Sequence, residues 1–242
     1  MGDVFRGAMD SKKPLLLIRD NDWRQWVNFG PVSTDQADWL RQLSKTKRTI
    51  EMNDAEWREH VAYFLPFLEN SDRMVAEIAF NEFARAPYAA LRTLKARLDV
   101  AAIRAWLNEP KLAKRQPVYL LLLGIAGSEQ DAKWLEQRIE VVRKTHSATN
   151  LPALLGADLE LLGPAGIDQV ERLYLTDAAR TKPEIEAALI ALKVHGETDN
   201  AARDRVNKAV ECFIKQNPSL ANLAAGGLTG SEIKIAPVSA AR

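Results

Sequence analysis

The apolar positions of this chain change period at Ser33. Before it, two short apolar runs, 15–18 and 26–29, flank Asp20-Asn21-Asp22. Runs of this length around turn-forming residues predict a β-hairpin. A lone hairpin is marginal in water, so its apolar residues must pack on the rest of the chain or on strands beyond this sequence. "GDVFRG" at 2–7 reads as the end of one more strand. Residues 1–32 are therefore expected to be the tail of a β-domain whose beginning is missing.

From Ser33 the spacing is helical. Ser33-x-x-Gln36, Asn53-x-x-Glu56, Ser128-x-x-Asp131 and Thr181-x-x-Glu184 have the form of helix starts, in which two side chains satisfy free backbone N–H groups. Trp57, Val61, Phe64, Leu65 and Leu68 follow the second start, with Pro66 predicting a kink or an early end. Val75, Ile78, Ala79 and Phe83 form a stripe that Pro87 stops, and Leu91, Leu94 and Leu98 form the next. Asp99 is placed to cap a helix carrying Val100, Ile103 and Leu107. Val118–Ile125 is apolar nearly all round, which predicts the most buried helix. Further stripes run through Leu135, Ile139 and Val142, through Leu151–Leu162, through Ile167–Tyr174, through Ile185–Leu192 and through Val206–Phe213. The segment 217–242 thins into small and polar residues, and its end is expected to be disordered. The expected organisation is thus 1–32, 33–216 and 217–242.

Two hexapeptides in this pattern nearly coincide, "LLGIAG" at 122–127 and "LLGPAG" at 161–166. "EFARAPYAALRTLKARL" (82–98) fits the same template, giving spacings of 40 and 39 residues, and "ALKVHG" (191–196) suggests a further copy. Each copy reads as a helix end, a tight turn and a second amphipathic helix. Gly124, Gly127, Gly163 and Gly166 are expected to supply positive φ at these turns. A helical hairpin cannot bury both its faces alone, and stacked hairpins bury them against each other. A period of about 40–47 residues is that of HEAT-type repeats. The stretch "FLENSDRMVAEIAFNEFARAPY" (67–88) resembles the HEAT pattern, and 54–216 resembles bacterial HEAT-like repeat proteins. "VFRG" (4–7) is similar to the strand that closes a small β-domain ahead of such repeats in some exported bacterial proteins. The resemblance implies a mainly α fold, a HEAT-like helical-hairpin solenoid with a short N-terminal β-hairpin segment. In such an array each repeat touches mainly its neighbours.

Composition narrows the function. The 242 residues carry 33 basic and 32 acidic side chains, a net charge of +1. That balance gives no general drive toward nucleic acid or anionic membrane. The clusters Arg41, Lys45, Lys47, Arg48 and Lys111, Lys114, Arg115 remain as local basic patches, read as solvated loops. Duplex DNA is expected to bind only weakly at physiological salt. No apolar run is long enough for a membrane span, and the charged first twenty residues do not form a secretion signal. The single cysteine, Cys212, excludes an intrachain disulfide framework and reads as an inert thiol. A reducing compartment, cytoplasmic by default, fits; a truncated N-terminus would leave export open.

Candidate chemistry is sparse. The histidines are His60, His146 and His195, in no metal-binding motif, and Glu56 and His60 in "EWREH" read as a surface pair. "DNDW" (20–23) lacks the rest of a calcium loop, and no phosphate-binding or dinucleotide fingerprint occurs. No metal site and no cofactor is expected. Two carboxylates fall on faces that should be apolar. Asp158 lies four residues from both Leu154 and Leu162, and Glu82 aligns with Leu122 and Leu161. Each is a candidate catalytic acid or ligand in a groove, against the plainer reading of a structural ion pair with an arginine of the neighbouring repeat, or of a position at the stripe edge. Trp106 and Trp134, two of six tryptophans, fit the core. The first functional expectation is a non-catalytic scaffold for a protein or peptide partner. The second, which the resemblance implies, is an enzyme using the groove, of the DNA glycosylase or tetrapyrrole lyase type.

Overall fold

The computed structural model describes residues 14–19, 26–43 and 52–226 and is mainly helical. The strand expected at 2–7, the turn at 20–22, the basic residues 45–48 and the end of the tail lie outside the described residues. The chain divides into two compact units, 1–52 and 53–242.

In the first unit, Leu15–Arg19 (β1) and Trp26–Pro31 (β2) pair antiparallel, with a register irregularity between Leu16 and Leu17. A helix, Thr34–Leu43 (α1), follows. Its start is the reciprocal cap read from the sequence: Ser33 N donates to Gln36 Oε1 (2.6 Å) and Gln36 N donates to Ser33 Oγ (3.1 Å).

The second unit opens with Asp54–Phe64 (α2), capped by Asn53 and Glu56. Pro66 ends it early, in a single 3₁₀ turn at Leu65–Phe67. Asp72 caps Arg73–Arg85 (α3), and Tyr88–Arg92 (α4) follows. The Leu91, Leu94, Leu98 stripe is not one helix. Thr93 Oγ1 takes the Ala90 carbonyl, and the chain leaves the α form for a 3₁₀ turn at Lys95–Arg97. Asp99 caps Val100–Leu107 (α5). Then come Gln116–Ala126 (α6), Glu129–Lys144 (α7), Leu151–Leu162 (α8) and Pro164–Val170 (α9), the last running into a π turn at Glu171–Leu175. Lys182–Thr198 (α10) and Asn200–Gln216 (α11) complete the long helices. Where the composition thins, a short helix, Ala221–Gly226 (α12), still forms.

The centre is α6, in which every residue from Val118 to Ile125 is buried. It packs against α5, α4 and, most extensively, α8, which in turn meets α7, α9 and α10. Gly124 lies inside α6, not in a turn. A Cβ there would stand 2.5 Å from Ala157 Cα and 2.8 Å from its carbonyl oxygen. The glycine lets two backbones touch. Gly124→Ala should therefore force α6 and α8 apart and destabilise the fold by about 1–3 kcal/mol despite alanine's better helix propensity. A thermal melt at or above that of the parent chain would show that the two helices do not meet there.

The two hexapeptides turn at different residues. In the first copy the helix runs through Ala126 and stops at Gly127. In the second it stops at Gly163, three positions earlier in the repeat, because Pro164 disfavours helical backbone in the residue before it. Gly163 is the only described glycine with positive φ (+56°), and no atom lies within 4 Å of where its Cβ would be. Positive φ at Gly124, Gly127 and Gly166 is not found, and any strain from substituting Gly163 comes from its backbone and not from crowding.

Contacts also skip along the chain. Arg92 on α4 donates through Nε to Glu160 Oε1 on α8 (2.8 Å) and through NH1 to the Thr198 carbonyl on α10 (2.6 Å). Tyr88 OH donates to Glu160 Oε2 (3.3 Å). These bonds tie α4 to α8 and α10, about 70 to 110 residues further along the chain.

Candidate functional site

Asp158 is the most unusual charge in the unit. It sits in α8 among Leu154, Leu155 and Leu159, and none of its surface is exposed. Among the described residues no arginine meets it. Gln169 Nε2 donates to Oδ2 (3.2 Å), while Oδ1 has no partner. Burial, and then the charge of Glu136, raise its pKa from the usual carboxylate range to about 7. The expected ion pair at Asp158 is thus not found among the described residues; burial holds the carboxyl partly neutral instead. Gln169 and Glu136 both line a groove of about 670 Å³ between α7 and the α9 segment, with Lys133, Glu140 and Arg172 on its walls.

Glu82 is more conventional. It accepts from His60 Nε2 (3.0 Å) and from Arg85 NH1 (3.3 Å). The expected surface pair of Glu56 with His60 does not form: Glu56 caps α2 through the Asn53 N–H (2.8 Å), and His60 is buried against Trp57 and Phe64.

Most other interior charges are consumed locally. Arg104 donates to both oxygens of Asp131 (2.7 Å each), and with the Ser128 bonds this lowers the Asp131 pKa to about 2. Arg115, 9% exposed, pairs with Glu69 and Glu77 and lies over the Phe80 ring. It belongs to the interior and not to the solvated basic loop expected of Lys111, Lys114 and Arg115. Tyr119 also donates to Glu69, whose backbone is left-handed (φ 53°). His195 is buried with neither ring nitrogen bonded, and burial lowers its pKa.

A second groove has a different character. About 460 Å³ in volume, it lies where α5, α6, α7 and α8 meet. Leu107, Leu120, Trp134, Val142 and Leu154 make its apolar lining, and Val141 on its edge is 61% exposed. Trp134 and Arg138 are four apart on α7, so they share a face. The Arg138 guanidinium stands 4.2 Å from the centre of the Trp134 ring. A smaller hollow of about 190 Å³ shares Leu107 and Trp134 with this groove and is bordered by Arg104, Asn108, Gln130 and Asp131. Trp134 and Trp106 are both half-buried and neither is a core residue; Trp134 lines the grooves, and Trp106 packs on buried Tyr119 with ring centres 5.0 Å apart. The sequence reading missed Arg138, although its four-residue spacing from Trp134 was visible.

Comparison of the chain with protein-family models, with curated proteins and with solved structures found no match. Among the described residues, no group of three or more His, Cys, Asp or Glu side chains is placed to hold a metal ion. No described helix is long and apolar enough to cross a membrane.

Proposed function

We propose that this chain is a non-catalytic interaction module: a HEAT-like stack of helical hairpins, led by a β-hairpin, that offers a groove to a protein partner. In this stack the aligned segments α6 and α8 lie side by side, and Arg92 fastens an early hairpin to later ones. The observation that carries the reading is Trp134. A large aromatic side chain, half-buried in the wall of an apolar groove beside exposed Val141, is what interface anchors are made of. The rival reading, an enzyme working in a groove, rests on Asp158. Its carboxyl titrates near neutrality, as a general acid's should. Yet it is fully enclosed, and Gln169 holds it.

The test places a photo-crosslinking side chain at Val141 and, as a control, at exposed Lys208 on α11. In lysate of the cells that make the protein, Val141 should capture a discrete protein that Lys208 does not. The adduct should disappear when Trp134→Ala is added. Identical adducts at both positions, or none at Val141, would remove the interaction reading.

A further inference from the structure

Arg138 carries more information than the apolar groove alone. Its guanidinium is half-buried, and among the described residues no carboxylate pairs with it. The other partly buried arginines of this unit differ among the described residues: Arg92, Arg115, Arg143, Arg180 and Arg205 each hold an Asp or Glu. Burial without a partner disfavours the charged form, and the pKa of Arg138 is lowered for that reason. Stacking on Trp134 fixes the plane of the guanidinium and leaves its N–H fork available for an anion. The apolar lining of Leu107, Leu120, Val142 and Leu154 lies on the same groove, so the anion should come joined to apolar groups. The smaller hollow shares Leu107 and Trp134 with the groove, which favours a chain that lies across both over one that ends. In an extended chain, side chains on one face repeat every second residue, about 7 Å apart, so one face of such a segment presents several side chains to the groove.

We propose that the groove binds an extended segment of a partner protein in which a glutamate or aspartate is flanked by bulky aliphatic residues, the carboxylate pairing with Arg138 and an aliphatic side chain entering the hollow beside Trp134. This rests on the interaction reading above and specifies its partner. An Arg–carboxylate fork is both directional and charge-assisted. It gives the groove a preference that apolar contact cannot.

The full chain is titrated against three fluorescein-labelled hexapeptides, the first two C-terminally amidated, read by fluorescence polarisation. One carries leucine–glutamate–leucine at its centre, and a second has glutamine in place of the glutamate. A third ends in leucine with a free carboxylate. The glutamate peptide should bind at least about tenfold more tightly than the glutamine peptide, the scale of one charge-assisted pair. Arg138→Gln should erase that difference by weakening the glutamate peptide alone, and Arg138→Lys should restore part of it. Both variants should melt close to the parent chain, since among the described residues Arg138 has no carboxylate partner and only its stacking on Trp134 is altered. Equal binding of the glutamate and glutamine peptides, or no binding of either, overturns the proposal; a Val141 adduct still seen in lysate would leave the interaction reading standing. Tighter binding of the free-carboxylate peptide overturns the internal segment in favour of a chain terminus. A concentration-dependent dimer in sedimentation, lost in Trp134→Ala, would assign the groove to a second copy of this chain and overturn it as well.

Discussion

Asp158→Asn should stabilise the helical unit at neutral and alkaline pH and leave it unchanged in acid. In the unfolded chain the carboxyl releases its proton near pH 4. In the folded protein it keeps the proton until about 7. Between those values the folded state binds more protons than the unfolded one, so stability falls as pH rises. Each unit of separation is worth about 1.4 kcal/mol, and about three units give a penalty approaching 4 kcal/mol. The penalty is absent below pH 4 and complete above pH 7. Asparagine has the shape of the protonated acid, keeps a polar neighbour for Gln169 and cannot ionise. Chemical denaturation of both proteins at pH 4, 6 and 8 checks this. The curves should coincide at pH 4 and separate progressively, the variant being up to about 4 kcal/mol more stable at pH 8. A difference that stays constant with pH would mean that the Asp158 carboxyl keeps its ordinary acidity.

Glu184→Ala should do the opposite, with a loss of about 3 kcal/mol at pH 7. The Glu184 side chain has no exposed surface and is shared by four donors. Thr181 donates to Oε2 through its N–H and its hydroxyl, both at 2.9 Å, and His146 Nδ1 lies 3.1 Å from the same atom. Arg180, 6% exposed, donates to Oε1 at 2.9 Å. Burial alone would raise the pKa of Glu184, but these bonds outweigh it and hold the value below the usual range. The carboxylate thus stabilises the fold at neutral pH, and that contribution is lost as pH falls through its lowered pKa. Alanine removes the Glu184 half of the α10 cap and leaves Arg180 with Asp177, at 3.0 Å, as its one acid among the described residues, beside the Arg143 carbonyl at 2.8 Å. It also removes the His146 bond, one of the links between the end of α7 and the start of α10. Glu184→Gln, which keeps an acceptor for the Thr181 N–H, should lose less. Urea denaturation at pH 7 measures both; a loss under about 1 kcal/mol in the alanine variant would show that this network is not part of the stable core.

Local chemistry was legible in the sequence wherever it acts over a few residues. The reciprocal caps at Ser33, Asn53, Ser128 and Thr181 all form, because both partners of a cap lie within one turn. Pro66 ends a helix, and the continuous apolar run Val118–Ile125 is the buried centre, because proline's missing N–H and an all-apolar surface act the same in any surroundings. Candidates for chemistry were half legible. Asp158 stood out as a charge on an apolar face, but whether an arginine would reach it depended on which helix lay opposite, and the answer is Gln169.

Other features were decided only when the helices met. The hexapeptides look like one turn written twice, yet Gly124 serves a helix crossing and Gly163 a turn, since contact with Ala157 and the presence of Pro164 determine what each glycine does. His60 found Glu82, 22 residues away, in preference to Glu56 on its own helix. Arg115 left a run of basic residues for Glu69 and Glu77. The groove at Trp134 needs four helices to enclose it, so no single segment spells it out. Caps, breaks and apolar stripes depend on neighbours along the chain, which a sequence states outright. Ion pairs, crossings and grooves depend on neighbours in space, and those exist only in the folded chain.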